Sequence, residues 1–492
     1  MNTSNQVNIS DLRKDRKVIK GLTDYLKITQ KTLDDVLSLM SSDNQDISVL
    51  GKDGNSSIRS FNGGYNAFSI PKASGGKRII TEPAPQLKEI QHRLNNTILS
   101  QIPISSAVTG GEKGTSAKNN AQIHVPNKFL YVTDIRNAYP STSSDRINKN
   151  LSGALRKQIE MSFAHFSDQE KSRFIDLITF LTTHNGQLPQ GAPTSSHLLN
   201  IVFSKTDTEI MQLIHDENTN IEKPVYSRYI DDISVSFKCY QSFLDAWKPS
   251  RKIGKDAENL ADTWSLNSEN RKKDLDKMNK TIEGLLDISY VVNDPSEKEH
   301  LRENFLNIKK KLKKLKIYAE HSKLQTVEGQ LYSNIGMIDS AISILNKKDV
   351  EKGMEHIKYK VNGVIKKNGW EVHPDKCKTY APGPVHREIT GITIDNQGRM
   401  GLNKKKMQKY IDLVKTCAYE SDISNFPSEF VDKTGNIDEH KVGYTLQGIR
   451  NYILDVKGRT ADKFEVPYQD AKKRFFGAWK ERGRGYNYSE IK

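Results

Sequence analysis

With 492 residues, 35% of them hydrophobic and 27% charged, the chain is too long for one compact core and implies about two to four domains or subdomains. Mean hydropathy of −0.67 and three scattered cysteines (Cys239, Cys377, Cys417) exclude a membrane span, a disulfide framework and a structural zinc site and suit a reducing cytoplasm, and the polar N-terminus (MNTSNQVNISDLRKDRK) argues against secretion. A net charge of +15 favours a polyanion partner, nucleic acid before membrane surface.

Residues 1–60 predict a helical extension followed by a polar connection. Leu22, Tyr25, Leu26, Leu33, Val36, Leu37 and Met40 recur at helical spacing until Gly51, Gly54, Asn55 and Ser56 break it. From about 61 to 135 short β-like runs follow (Phe68–Pro71, Arg78–Ile80, Lys128–Asp134), with a helix expected from Pro85 to about Ile98. Residues 150–215 predict helices interrupted by the turn cluster Asn185–Pro193. The run Pro224–Phe237 reads as a hairpin with Asp231 and Asp232 at its tip.

Residues 241–364 are rich in lysine, glutamate and asparagine. Leu301, Phe305, Ile308, Leu312, Leu315 and Ala319, then Leu331, Ile335, Ile338, Ile342 and Leu345, form two heptad-type seams. These predict a charged helical insertion, either a self-contained bundle or a surface for homo-oligomerisation. Its lysines Lys309–Lys311, Lys313 and Lys314 suit a solvated face or an RNA contact. Short strands return at Trp370–Val372 and Arg387–Asp395, and the last hundred residues predict helices ending in a tail that mixes basic and aromatic residues.

Asp134 ends one strand pattern and Asp231-Asp232 lie within another. Carboxylates there are costly to bury unless paired or bound to a cation. Alone, Asp231-Asp232 reads first as ordinary turn chemistry. Three converging carboxylates would make a hard, oxygen-only site suited to Mg²⁺, and two such ions serve in-line phosphoryl displacement.

The surrounding motifs carry a resemblance. Tyr229-Ile-Asp-Asp232 matches the Tyr-x-Asp-Asp box of reverse transcriptases, Asp134-Ile-Arg-Asn-Ala-Tyr-Pro-Ser141 resembles their first palm motif, and Leu188-Pro-Gln-Gly-Ala-Pro-Thr-Ser195 resembles their second. Gly75–Pro83 with Leu87–Gln91, Asn120-Ala-Gln-Ile-His124 and Ile389-Thr-Gly391 resemble elements of bacterial retron-type enzymes. The resemblance spans roughly residues 65–240 and 365–455 and is as close to the unassigned, defence-associated bacterial reverse transcriptases, which carry extra helical segments.

It implies an α+β right-hand polymerase: fingers and antiparallel palm over 61–240, the insertion over 241–364, the remainder of the palm over 365–398, and a helical thumb with its tail over 399–492. Asp134, Asp231 and Asp232 would be catalytic and would ligate two Mg²⁺ ions, with Mn²⁺ as a substitute. Lys77 and Arg78 would grip the triphosphate of a dNTP. Tyr139 would exclude a ribose 2′-hydroxyl, Gln190 and Gly191 would line the nucleotide pocket, and Lys376 would neutralise the incoming phosphates or protonate pyrophosphate. Lys472, Lys473, Arg474, Lys480, Arg482 and Arg484, interleaved with Phe475, Phe476 and Trp479, suit nucleic-acid binding or a packed thumb helix. His124 and Asn120 predict a structural hydrogen-bonding role near the fingers. The implied partner is a non-coding RNA acting as template and scaffold, together with its cDNA, in antiphage defence and without a membrane. A group II intron-like enzyme, an RNA-dependent RNA polymerase and a non-catalytic RNA-binding scaffold are the rival readings.

Overall fold

The computed structural model describes residues 9–50, 56–71, 76–216, 224–238, 271–291, 295–322, 324–345, 349–381, 386–431 and 435–476. Helix and sheet are mixed along it. Three helices open the described chain (Ile9–Lys14, Arg16–Leu26, Gln30–Met40), and Leu22, Leu26, Leu33, Val36, Leu37 and Met40, read at helical spacing, are buried, with Tyr25 half-buried beside them. Strands β1 (Gln45–Leu50) and β2 (Ser56–Phe61) then pair antiparallel. The sequence reading took this stretch as a polar connection. Gly51, Gly54 and Asn55, which mark the polar connection, fall outside the described residues.

Strands β3 (Tyr65–Pro71) and β4 (Lys77–Pro83) form a second antiparallel pair. Helix Pro85–Thr97, with proline in its first turn, follows directly. The central sheet comprises β5 (Phe129–Asp134), β6 (Val225–Tyr229), β7 (Asp232–Phe237) and β8 (Lys378–Tyr380) in the order β6-β7-β5-β8, antiparallel throughout. Helix Ser195–Asp216 packs on β6, and helix Asp349–Lys367 packs on both β5 and that helix.

Helices Arg271–Val291, Pro295–His321 and Gln325–Leu345 make a separate bundle. Leu301, Phe305, Ile308, Leu312, Leu331 and Ile338, from the two seams, supply its core together with Leu275, Met278 and Ile282 of helix Arg271–Val291. The fourth helix of this stretch departs from the sequence reading. Met354, Ile357, Val361 and Ile365 of helix Asp349–Lys367 are buried in the main core and not in the bundle, although residues up to 364 read as one charged insertion. Three short strands, β9 (Arg387–Ile389), β10 (Ile392–Ile394) and β11 (Met400–Leu402), lie beyond β8 in the order β11-β10-β9. The last helices, Lys404–Tyr419, Glu439–Lys457 and Asp462–Phe476, share their own core around Val414, Leu446, Phe464 and Tyr468. Among the described residues no helix is long and apolar enough to cross a membrane.

Candidate active site

The antiparallel register places Asp134, the last residue of β5, opposite Asp232, the first of β7. Tyr229 of β6 also pairs with Asp232, so Ile230 and Asp231 form the two-residue turn between β6 and β7. Ile230 adopts a positive φ of 60°, which the primed hairpin turns demand and a β-branched residue resists. The Asp231 carbonyl accepts from the Ile135 amide at 3.0 Å, tying the turn to the chain just past Asp134.

Carboxylate oxygens of Asp134, Asp231 and Asp232 all lie within 4.8 Å of one another. Crowded acids in a partly dry site resist ionising together. Burial, then the Asp134 charge, pushes Asp231 up to about 6, with Lys376 and Arg78 pulling the other way. Asp232 rises to about 8, through burial first and then the charges of Asp231 and Asp134. Three carboxylates whose oxygens come this close fit a hard divalent cation, whose charge would offset the burial and repulsion that raise Asp231 and Asp232.

Lys376 reaches this cluster from far along the chain. Trp370, buried against Phe203 and donating from Nε1 to Thr206 Oγ1 at 3.2 Å, anchors the strand-like segment after helix Asp349–Lys367. His373 N then donates to Asp134 O at 2.7 Å, and the 3₁₀ turn Pro374–Lys376 delivers the lysine to an ion pair with Asp134 Oδ2. Burial works against the Lys376 charge, but the three aspartates more than compensate and raise its pKa.

Tyr139 lies half-buried at the edge of the main core, its hydroxyl 3.0 Å from Ser196 Oγ. Arg78 is exposed on β4 opposite Ile70, and its charge acts on both Asp231 and Tyr139. Lys77 is exposed at the start of β4, opposite Pro71. Gln190 O accepts from Thr81 N at 2.8 Å, so the Leu188–Ser195 loop docks on β4. Gly191 makes this contact feasible: its φ is +126°, and a Cβ there would sit 2.9 Å from Ile80 Cγ2.

Lys472, Lys473 and Arg474 are all exposed, and Arg474 also donates to the carbonyls of Cys417 and Glu420 at the end of helix Lys404–Tyr419 and lies near the rings of Phe426 and Phe475. The guanidinium is thus engaged in helix capping within the last unit. Lys480, Arg482 and Arg484, with Trp479, fall outside the described residues.

His124 is fully buried, but against the central sheet and not near β3 and β4. Its Nδ1 lies 2.6 Å from Ser236 Oγ and its Nε2 2.7 Å from Ser227 Oγ. Burial, then the Arg387 charge, lowers its pKa to about 3 and keeps the ring neutral. Asn120 Oδ1 accepts from Ser227 and Thr109, bracing the helix Ala117–Ile123 on β6. One residue escaped the sequence reading altogether. Arg228, inside β6, is completely buried against Asp207, and an arginine at an inward strand position of an apolar run was its signal.

No family model matches the chain. Retron Ec73 reverse transcriptase of Escherichia coli is 31% identical over 197 residues, covering 38% of this chain and 60% of that protein. Retron Mx162 reverse transcriptase of Myxococcus xanthus is 29% identical over 177 residues, covering 35% and 36%. Retron Ec83 reverse transcriptase of Escherichia coli is 30% identical over 176 residues, covering 35% and 52%. The resemblance read from the motifs thus extends to a segment of about a third of the chain, which spans between about a third and three-fifths of the curated relatives it matches. Among solved structures, telomerase from Candida albicans with a TWJ fragment of telomeric RNA aligns over 93% of this chain and 65% of its own at 10% identity, with a TM-score of 0.29, too low to argue from.

Proposed function

We propose that the chain is an RNA-directed DNA polymerase that makes cDNA from dNTPs. The observation that carries this reading is the cluster of Asp134, Asp231 and Asp232 at facing strand ends, with Lys376 on Asp134, inside a chain similar to retron reverse transcriptases. On this reading the fold is a right-hand polymerase. Strands β3 and β4 belong to the fingers, the central sheet is the palm, residues 399–492 are the thumb and its tail, and the bundle is an insertion.

Asp134 and Asp231 would hold two divalent ions, Mg²⁺ with Mn²⁺ as a substitute, and Asp232 completes the triad. Such ions, when bound, supply activation of an attacking hydroxyl and charge stabilisation for a leaving pyrophosphate. The chain's own groups do the rest. Arg78, with Lys77 beside it, grips the triphosphate through charge-assisted hydrogen bonds. The Tyr139 ring would exclude a ribose 2′-hydroxyl and so select dNTPs. Gln190 and Gly191 shape the nucleotide pocket next to β4. Lys376, kept charged by the three carboxylates, offers its proton to the departing pyrophosphate. Lys472 and Lys473 contribute to a phosphate-binding surface, joined by the tail residues Lys480, Arg482 and Arg484.

The template is a dedicated non-coding RNA, the setting cytoplasmic, and the biological role antiphage defence. Purification from the native locus with its accompanying RNA, followed by addition of Mg²⁺ and labelled dNTPs and sequencing of RNA and product, tests the reading. DNA copied from the bound RNA is the expected product. Bound RNA with no DNA, even after a primed RNA template is supplied, would favour a non-catalytic scaffold.

A further inference from the structure

A buried ion pair directly beneath the acidic turn has a geometry that charge burial alone does not require. Arg228 and Asp207 are both fully buried. Arg228 Nε and Nη2 donate to the two oxygens of Asp207 at 2.8 and 2.7 Å, a bidentate pairing that already neutralises both charges. Tyr226 OH also donates to Asp207 Oδ1 at 2.6 Å, and the guanidinium lies over the Phe203 ring at 4.6 Å. The remaining nitrogen, Nη1, donates to Asn200 Oδ1 at 2.8 Å and to the backbone carbonyl of Ile230 at 2.7 Å.

That carbonyl belongs to the residue with the strained backbone. Ile230 holds its positive φ immediately before Asp231, in a region a β-branched side chain leaves unless the surroundings hold it there. The surroundings are unusually determined. Arg228 N donates to Ala107 O at 2.8 Å, and Thr109 N donates to Arg228 O at 2.8 Å. A Cβ on Gly110 would come within 2.7 Å of the Tyr229 ring and 3.0 Å of Ile230 N, so this loop presses against the turn. Ile230 O is fixed by Arg228 on one side, and Asp231 O by Ile135 on the other.

We propose that Arg228 is a positioning residue: through its Nη1 bond to Ile230 O it holds the strained turn in the conformation that aims the Asp231 carboxylate at Asp134 and Asp232. This rests on the reading of the three aspartates as a divalent-cation site. The inference predicts that the fork geometry matters and not only the charge. A lysine has one nitrogen on a flexible stem and cannot bond Asp207 bidentately while also reaching the turn.

The test is Mn²⁺ binding to the full-length protein without nucleic acid, followed by the loss of the free-ion signal in electron paramagnetic resonance. Melting temperature is recorded alongside. Arg228→Lys should weaken Mn²⁺ binding by about 10- to 100-fold, the range seen when a group that orients a metal ligand is removed. Adding Ile230→Gly should recover a substantial part of that loss, because glycine adopts the positive φ without assistance. A purely structural ion pair would not be rescued by a change in the turn. Asn200→Ala keeps the ion pair whole and serves as the second variant should Arg228→Lys fail to fold. It should weaken Mn²⁺ binding in the same direction by a smaller factor.

Unchanged Mn²⁺ affinity in a folded Arg228→Lys protein, or in Asn200→Ala if only that variant folds, overturns the assignment. So does an affinity loss that Ile230→Gly leaves untouched. Failure of the underlying reading looks different: the wild type would then bind Mn²⁺ no better than Asp231→Asn.

Discussion

Asp232→Asn is expected to stabilise the cation-free protein at alkaline pH while removing its function. In the folded chain the Asp232 carboxyl is raised to about 8 from an ordinary 3.8, by burial and by the charges of Asp231 and Asp134. A raised carboxyl means that the folded state binds the proton more tightly than the unfolded state, so stability falls as pH climbs from about 4 through about 8. Each tenfold in proton affinity is worth about 1.4 kcal/mol, which puts the cost of the ionised group at about 2–5 kcal/mol at pH 8. At pH 5 the unfolded carboxyl is mostly ionised, but pH has climbed only about one unit past its ordinary value, and the accumulated cost is less than about 2 kcal/mol. Asparagine has a similar shape and carries no charge. In EDTA at pH 8 the variant should therefore melt several degrees above the wild type, the gap should narrow at pH 5, and saturating Mg²⁺ should narrow it at pH 8 by stabilising the wild type alone. Differential scanning fluorimetry reads all three. A variant that melts below the wild type at pH 8 in EDTA, or a gap independent of pH, would refute the electrostatic account of the site.

Much of this centre was legible in the sequence because it is built from local pieces. The β6–β7 hairpin follows from two apolar half-strands around an acidic pair, and the register then brings Asp232 opposite Asp134. Gly191 could be singled out by its motif, but its reason is a contact across the fold, the approach of its loop to Ile80 and Thr81. What local pattern could not supply was long-range packing. Helix Asp349–Lys367 has the lysines and glutamates of the bundle, yet Met354, Ile357, Val361 and Ile365 face the main core and the turn after it carries Lys376 to Asp134. Arg228 was missed because its partner Asp207 sits on helix Ser195–Asp216, and nothing in either segment alone shows that the two charges meet. The β1–β2 pair was hidden because its strands are short and polar and are separated by Gly51, Gly54 and Asn55, residues that read as breakers of the preceding helix pattern.

Two further outcomes are expected. Tyr139→Ala removes the ring held near Ser196 and should raise incorporation of rNTPs relative to dNTPs by about 100-fold, the scale on which a pocket discriminates a hydroxyl by shape; unchanged discrimination in single-nucleotide incorporation would contradict the gate. Phe305 is completely buried in the bundle, so Phe305→Ala should cost the bundle about 3–5 kcal/mol. Denaturant unfolding followed by circular dichroism measures this, and a loss below about 1 kcal/mol would place the seam elsewhere than in a packed core.

The central claim meets its most direct test in extension of a DNA primer annealed to a defined RNA template, with Mg²⁺ and dNTPs, by the wild type beside the Asp231→Asn/Asp232→Asn double variant. The account predicts templated DNA from the wild type, none from the double variant, and none from the wild type when EDTA replaces Mg²⁺. Equal extension by both proteins, or exclusive use of rNTPs by the wild type, would contradict it.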